Sequence, residues 1–310
     1  MAVDLTNMAP MRIGTTTIPV ESVTLDTGEM REEVRMSGLP FAGGLIVPQR
    51  MHQLRFRTFF KAAYDLVDGF KLKEFTVLEW YMRNYVNSLA GANGTQWKLK
   101  AGAVAVVEIT GLSEGPGGVI MADMVAYLLS GGALDALDDI VEEAVNQTVL
   151  TVGAEPVYHV RGPVTIDGEG IDGVVGFSLD TGNRIMGNVP TDGRTYPESL
   201  IYDGGSRTIS LQVQGIRAFL TKLKWSGSAM NVGGGTGAVG SVIAYLREID
   251  RKGIAKDTGA SITVGKGRVV AASAEQSVGS VDTGNILVHG INESLDQSDP
   301  FAVSFSATGI

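Results

Sequence analysis

Two short stretches decide how this chain is read: Thr24-Leu25-Asp26-Thr27-Gly28 near the start and Ser178-Leu179-Asp180-Thr181-Gly182 past the middle. Each closes an alternating run. Val20, Val23 and Leu25 interleave with Glu21, Ser22 and Thr24, and Val174, Val175, Phe177 and Leu179 lead into the second copy. Alternation of this kind predicts a half-buried strand ending in a turn. Either the pair supplies one carboxylate from each of two lobes, as an acid protease needs, or it marks equivalent turns in a repeated β unit.

Working outward favours the repeat. After each turn comes a glycine- and proline-punctuated segment, Met36 to Gln49 and Gly187 to Tyr202, each expected to be a long loop or protruding hairpin. Leu54-Arg55-Phe56 then answers Ile209-Ser210-Leu211, and Ala63-Tyr64 answers Ala218-Phe219. Both segments read as long strands, although Lys61, Ala62, Ala63 and Leu66 are helix formers. Next, Thr76 to Leu89 and Ala238 to Arg251 have apolar residues at helical spacing, stopped by Gly91 and Gly253, and predict a helix in each half. Trp97, Leu99, Gly102 and Val104 answer Ile262, Val264, Gly267 and Val269. Landmarks repeating in the same order predict an internal duplication.

The halves differ between Gly117 and Thr148. There Leu134, Leu137, Val141 and Val145 line up opposite five acids, predicting a helical insertion at about 118–147. The final alternating run from Phe301 finds its expected echo in Thr148 to Val152, and Pro156 marks the junction. The expected architecture is mainly β (α+β): two tandem sandwich- or barrel-like domains, 1–155 and 156–310, each with a flanking helix.

Composition narrows function. The 310 residues hold no cysteine, so disulfides, thiolate metal sites and cysteine nucleophiles are excluded. That suits a reducing compartment. No signal peptide and no membrane-spanning run is expected; the best apolar stretch, Val119 to Leu129, is short and holds Asp123. A net charge of −9 argues against general binding to phosphates, though acid lining a conduit lets nucleic acid slide without sticking. Glycine, at 41 residues, points to many turns.

The sharper chemical readings fare poorly. Asp-Thr-Gly recurs at 257–259 and 282–284, and Asp-Gly pairs begin at 68, 167, 172, 192 and 203, so these tripeptides are expected to be turn chemistry. Glu29 and Asn183 follow the twin motifs where an aspartic protease usually has a small hydroxyl or alanine residue. Gly235 to Gly240 matches a dinucleotide fingerprint opening the expected helix. However, the residues before it are too polar for a buried feeding strand. His52, His159 and His289 lack metal-ligand or triad spacing. No catalytic residue, cofactor or metal is assigned.

The order strand, turn, long loop, strand, helix, strand, written twice in an acidic cysteine-free chain, resembles the tail tube (major tail) protein of long-tailed bacteriophages. The ending, Asp299-Pro300 followed by the run from Phe301 to Gly309, is similar too. The resemblance implies small β-sandwich or barrel domains whose duplicated form assembles as trimers that mimic hexameric rings. It implies stacking of rings around a tape-measure protein, tail terminator and distal tail proteins at the ends, a lumen through which DNA leaves unbound, and residence in the virion. On this reading the long loops make subunit or ring contacts, through Leu39, Phe41, Leu45 and Ile46 in one and Tyr196, Leu200 and Ile201 in the other. Other phage components (a baseplate hub or capsid protein) and an acid hydrolase are the alternatives.

Overall fold

In the computed structural model, residues 9–26, 29–34, 44–50, 52–86, 89–99, 103–129, 140–146, 156–159, 163–166, 168–171, 173–189, 199–205, 207–215, 240–249, 255–275, 281–290 and 299–305 are described. They are mainly β. The first half holds β1 (Ala9–Ile13), β2 (Thr16–Val20), β3 (Ser22–Asp26), β4 (Glu29–Val34), β5 (Gly44–Arg50), β6 (Gln53–Phe59), α1 (Phe60–Val67), β7 (Lys73–Phe75), β8 (Leu78–Val86), β9 (Leu89–Leu99), β10 (Val104–Glu114), β11 (Ile120–Leu129) and β12 (Ile140–Asn146). The second holds β13 (Val157–His159), β14 (Val164–Ile166), β15 (Glu169–Ile171), β16 (Val174–Asp180), β17 (Asn183–Val189), β18 (Ser199–Gly205), β19 (Thr208–Gln214), β20 (Gly240–Ile249), β21 (Ala255–Glu275), β22 (Thr283–Gly290) and β23 (Phe301–Phe305). The strand pairings among the described residues are antiparallel; the first half gives a sheet β12-β9-β8-β1-β2 and a sheet edge β3-β6-β11-β10.

The pairings of the first half recur in the second. Leu25 faces Leu54 where Leu179 faces Ile209, and Arg55 faces Val125 where Ser210 faces Leu287. Likewise Asp123 faces Gly111 where Asn285 faces Ser273. Met11 opposite Trp80 matches Val164 opposite Ala244, and Trp80 opposite Trp97 matches Ala244 opposite Ile262. The 21-residue β21 runs without a break through positions that the first half divides between β9 and β10.

Several expectations are corrected. The two stretches read as helices are strands, β8 and β20. In β20 the buried residues are Val242, Ala244 and Leu246, a two-residue period. Val242, Leu246 and Ile249 also fit helical spacing, and buried Ala244 is what separates the two periods. Gly240 accordingly begins a strand, and the fingerprint lacks the helix it requires; residues 235–239 lie outside the described residues. The segment read as a long strand from Leu54 turns at Phe59 into α1, the one α-helix among the described residues. Phe60, Ala63, Leu66 and Val67 form its buried face, and Asp68 (φ 56°) and Gly69 (φ 106°) end it in the left-handed region.

The described parts of the segment expected to be a helical insertion are strands. Ile120–Leu129 is β11, in the main sheet, and β12 lies along β9 with Glu142 opposite Trp97. Its counterpart is β23, which lies along β21 with Val303 opposite Ile262. β12 and β23 thus take corresponding places beside β9 and β21; the expected echo at Thr148 to Val152 lies outside the described residues, as do residues 130–139. Asp257-Thr258-Gly259 is likewise inside β21 and Asp203-Gly204 inside β18, not in turns. Gly259 passes so close to β20 that an added Cβ would overlap the Leu246 carbonyl.

Candidate assembly joint

Among the described residues, the pairing of β10 with β16 joins the halves, with an isolated bridge between Val119 and His159 as a second backbone link. β10, the edge of β3-β6-β11-β10, accepts β16, the edge of the second half's β16-β19-β22-β21, giving one sheet that continues across both halves. The contact is short: Gly111 faces Asp180 and Leu112 faces Leu179.

The second Asp-Thr-Gly builds this contact. Asp180 Oδ1 accepts a hydrogen bond from the Gly182 N–H at 2.7 Å, and Gly182 has φ +60°, so Asp180 and Gly182 form an Asx-type turn. The turn directs Thr181 into β10, where it is fully buried. Its N–H donates to the Thr110 carbonyl at 3.1 Å, and its hydroxyl reaches the carbonyls of Ile109 at 2.8 Å and Thr110 at 3.0 Å. A bulge in β10 between Ile109 and Gly111 offers those two carbonyls together. Gly111 lets the strands close, because a Cβ there would stand 2.9 Å from the Leu179 carbonyl oxygen.

A buried cation fastens the other side. Arg207, 6 % exposed, donates to the Thr181 carbonyl, to the Phe70 carbonyl at 3.2 Å, and through two nitrogens to Asp299 at 2.8 and 3.2 Å. A planar guanidinium suits such forked recognition. It links the segment after α1, the Asp-Thr-Gly turn and the start of β23. Asp299 Oδ1 also accepts from the Phe301 N–H. Nearby, Phe305 meets Phe60, Tyr64 and Tyr158, so the last strand packs its ring on the first half's helix. The Tyr64 hydroxyl has its pKa raised, first by burial and then by Asp299, Asp68 and Asp65.

The two sheet faces differ in chemistry. Leu54, Phe56, Ile109, Met124, Leu179, Ile209 and Leu211 point into the core. Across the joint, the opposite face presents Thr24, Arg55, Arg57, Asp123, Ser178 and Asp180, with shallow grooves on either side. Arg57 pairs with Asp123 at 3.3 Å and Glu21 at 3.7 Å and donates to Ser113 Oγ at 2.6 Å; Arg55 pairs with Asp26 at 3.7 Å. Farther along, Val106, Val125, Tyr127 and Leu129 form a small second cluster with Leu72. Buried Glu108 accepts the Tyr127 hydroxyl at 2.8 Å there. Burial, then the Glu108 charge and hydrogen bond, push the Tyr127 pKa up strongly.

This geometry separates the twin aspartates. Asp180 on β16 and Asp26 on β3 are four strand steps apart in one sheet, about 19 Å at ~4.8 Å per step. They cannot share a proton within one chain. Of the expected contact residues, Leu45 and Ile46 lie in hairpin β4-β5, opposite Glu33 and Glu32. Leu200 and Ile201 lie in hairpin β17-β18, opposite Asn188 and Gly187. Of the two glycine-rich segments, Met36 to Gln49 holds most of β5, whose partner β4 precedes it, and Gly187 to Tyr202 holds parts of β17 and β18; Leu39, Phe41 and Tyr196 lie outside the described residues. The sequence reading missed Thr181, Arg207 and Asp299, although the Asp-Thr-Gly landmark pointed next to the first.

No protein-family model and no curated protein matches the chain. Among the described residues there is no cluster of three or more His, Asp or Glu side chains able to hold a metal, and no helix long and apolar enough to cross a membrane.

Proposed function

We propose that the chain is a structural virion protein that assembles into stacked rings forming the tail tube of a long-tailed phage. One observation carries the reading: two units with the same strand registers are joined edge to edge, head to tail, within one chain. A head-to-tail contact that reuses the same two edges generates rings when its rotation closes. On this reading the units are the products of a duplication, tandem sandwich-like domains at 1–155 and 156–310, and three chains supply six units to a ring.

The polar sheet face suits a wall past which DNA moves. Its arginines are engaged by Asp26, Glu21 and Asp123 rather than left to hold phosphates, and the chain is acidic overall. Its partners are then further copies of itself, a tape-measure protein inside the lumen, and terminator and distal tail proteins at the ends. The hairpins β4-β5 and β17-β18 are assigned to contacts between subunits or rings. Activity as an enzyme plays no part in this account.

Electron microscopy of the purified chain over a range of concentrations tests it. Rings or hollow tubes are expected. Monodisperse monomers at every concentration, particularly ones that cleave protein at low pH and stop on Asp26→Asn, overturn it.

A further inference from the structure

The cluster that fastens the joint encloses a bond with chemistry of its own. Asp299 precedes Pro300, directly before β23. In an Asp-Pro pair the side-chain carboxylate can attack the carbonyl carbon of its own residue, closing a five-membered ring. The prolyl nitrogen is a more basic leaving group than an ordinary amide nitrogen and departs once protonated. A nucleophile tethered this closely needs no encounter to reach its target. Here both carboxylate oxygens are occupied. Oδ1 accepts from the Phe301 N–H at 2.9 Å and from Arg207 Nε at 3.2 Å, and Oδ2 accepts from Arg207 Nη2 at 2.8 Å. Such charge-assisted bonds draw electron density from the lone pairs that would attack, and they fix the plane of the carboxylate. The guanidinium cannot swing away freely, because the Thr181 and Phe70 carbonyls hold it. Asp299 is still 33 % exposed, so water reaches it. The other titratable groups near it are on α1: Tyr64, whose hydroxyl feels the Asp299 charge, with Asp68, Asp65 and the Lys61 that pairs with Asp65.

We propose that the Asp299–Pro300 bond is a latent self-cleavage site and that Arg207 keeps it closed. The reaction uses the chain, a proton and one water. An Asp299 side-chain oxygen bonds to the Asp299 carbonyl carbon, the bond from that carbon to the Pro300 nitrogen breaks, and the nitrogen takes a proton from solvent. Water then opens the cyclic anhydride and leaves Asp299 as a new carboxyl terminus. Arg207 is a positioning residue here, and the Asp299 carboxylate is the group that reacts. The cut severs β23 from the chain that precedes it. That strand pairs with β21 and seats Phe301 in the core and Phe305 against Phe60, Tyr64 and Tyr158. An opening of the joint that withdraws Arg207 in acid is thereby made irreversible. The proposal uses only this bond and its clamp, so it stands apart from the tail-tube reading.

The step needs a carboxylate and an acid together, so it is best read near pH ~4, where an ordinary aspartyl group is half-ionised. Arg207→Met is compared there with Gly111→Ala, which loosens the same joint without touching Asp299. Urea is added until the two proteins have equal native fractions, and intact mass is followed with time. Arg207→Met is expected to release a fragment beginning at Pro300 at least about tenfold faster than Gly111→Ala, a barrier difference of about 1.4 kcal/mol. Arg207→Lys should fall between them, because it keeps the charge and loses the fork. The double variant Arg207→Met/Asp299→Ala, which lacks the nucleophile, should stay whole. Equal rates for Arg207→Met and Gly111→Ala mean that cleavage follows unfolding alone, and they overturn the role given to Arg207. A bond that stays uncut even in the fully unfolded chain, or one still cut at the same place in the double variant, overturns the site itself.

Discussion

Replacing Arg207 with methionine is expected to loosen the connection between the halves more than any other single change. The guanidinium is buried and makes four contacts: two to Asp299, one to the Thr181 carbonyl and one to the Phe70 carbonyl. Methionine keeps much of the stem's packing but none of the donors. Removing one partner of a buried ion pair costs about 3–5 kcal/mol when the other is left dry. The Asp299 side chain is 33 % exposed and regains some water, which places the expected loss near 2–4 kcal/mol, including the two orphaned carbonyls. Arg207→Lys keeps the charge and loses the fork, so it should fall between wild type and methionine. Asp299→Asn alone, followed by the double variant, completes a cycle whose coupling should reach about 1 kcal/mol or more. Urea unfolding followed by far-UV circular dichroism and tryptophan fluorescence reads all four proteins. A loss below about 0.5 kcal/mol for Arg207→Met, with no coupling to Asp299, refutes the assignment of this cluster as the fastening of the joint.

Other perturbations test neighbouring parts of the argument. Gly111→Ala should destabilise the monomer by about 1–3 kcal/mol in the same urea assay, since the Leu179 backbone has to move. Thr181→Val preserves volume but removes the hydroxyl from the Ile109 carbonyl, while the Thr110 carbonyl keeps the Thr181 N–H, and should cost about 1–2 kcal/mol by thermal or urea unfolding. Phe301→Ala empties a site that is 5 % exposed beneath β23; a loss of about 3–5 kcal/mol is expected in urea. The pKa of Tyr127 is raised on folding, so above pH ~10 the unfolded chain gives up a proton that the native chain keeps. Stability is therefore full below that pH and falls as pH rises further; denaturation midpoints at pH 9 and pH 11 should show a drop that Tyr127→Phe reduces.

Much of the β architecture was legible because its strands face water on one side. Ser178, Asp180 and Gln212 alternate with Phe177, Leu179 and Leu211, and that alternation announces both the strand and its core face. The failures have a common physical source. Where small or aromatic residues fill the pattern, as with Ala244 in β20 and Trp80 in β8, periods of two and of nearly four coincide over eight or ten residues. Only the partner strand decides between them. Buried β11 runs from Ile120 to Leu129 almost without a polar residue, so periodicity had little to say about it. The reverse error occurred at Phe60, where a strand-like aromatic run folds into α1 because Asp68 and Gly69 supply its end.

The joint was half visible. The repeated Asp-Thr-Gly begins at the ends of β3 and β16, which pair in like register with β6 and β19, and Asp180 with Gly182 does make the expected turn. That turn's product is the placement of Thr181, which depends on a carbonyl pair 71 and 72 residues away in sequence. Arg207 and Asp299 are 92 residues apart, with nothing local to connect them. Side-chain clamps of this kind arise from tertiary proximity, to which spacing along the chain is blind.

The central claim is that the sheet passing from one half to the other continues from one chain to the next. A cryo-electron microscopy reconstruction of the assembled protein measures this directly. The account predicts rings of three chains with six similar sheet segments, the sheet continuing from chain to chain and the Arg57–Asp123 face turned to the lumen. Rings joined through the hairpins alone, with no sheet passing between chains, would contradict it.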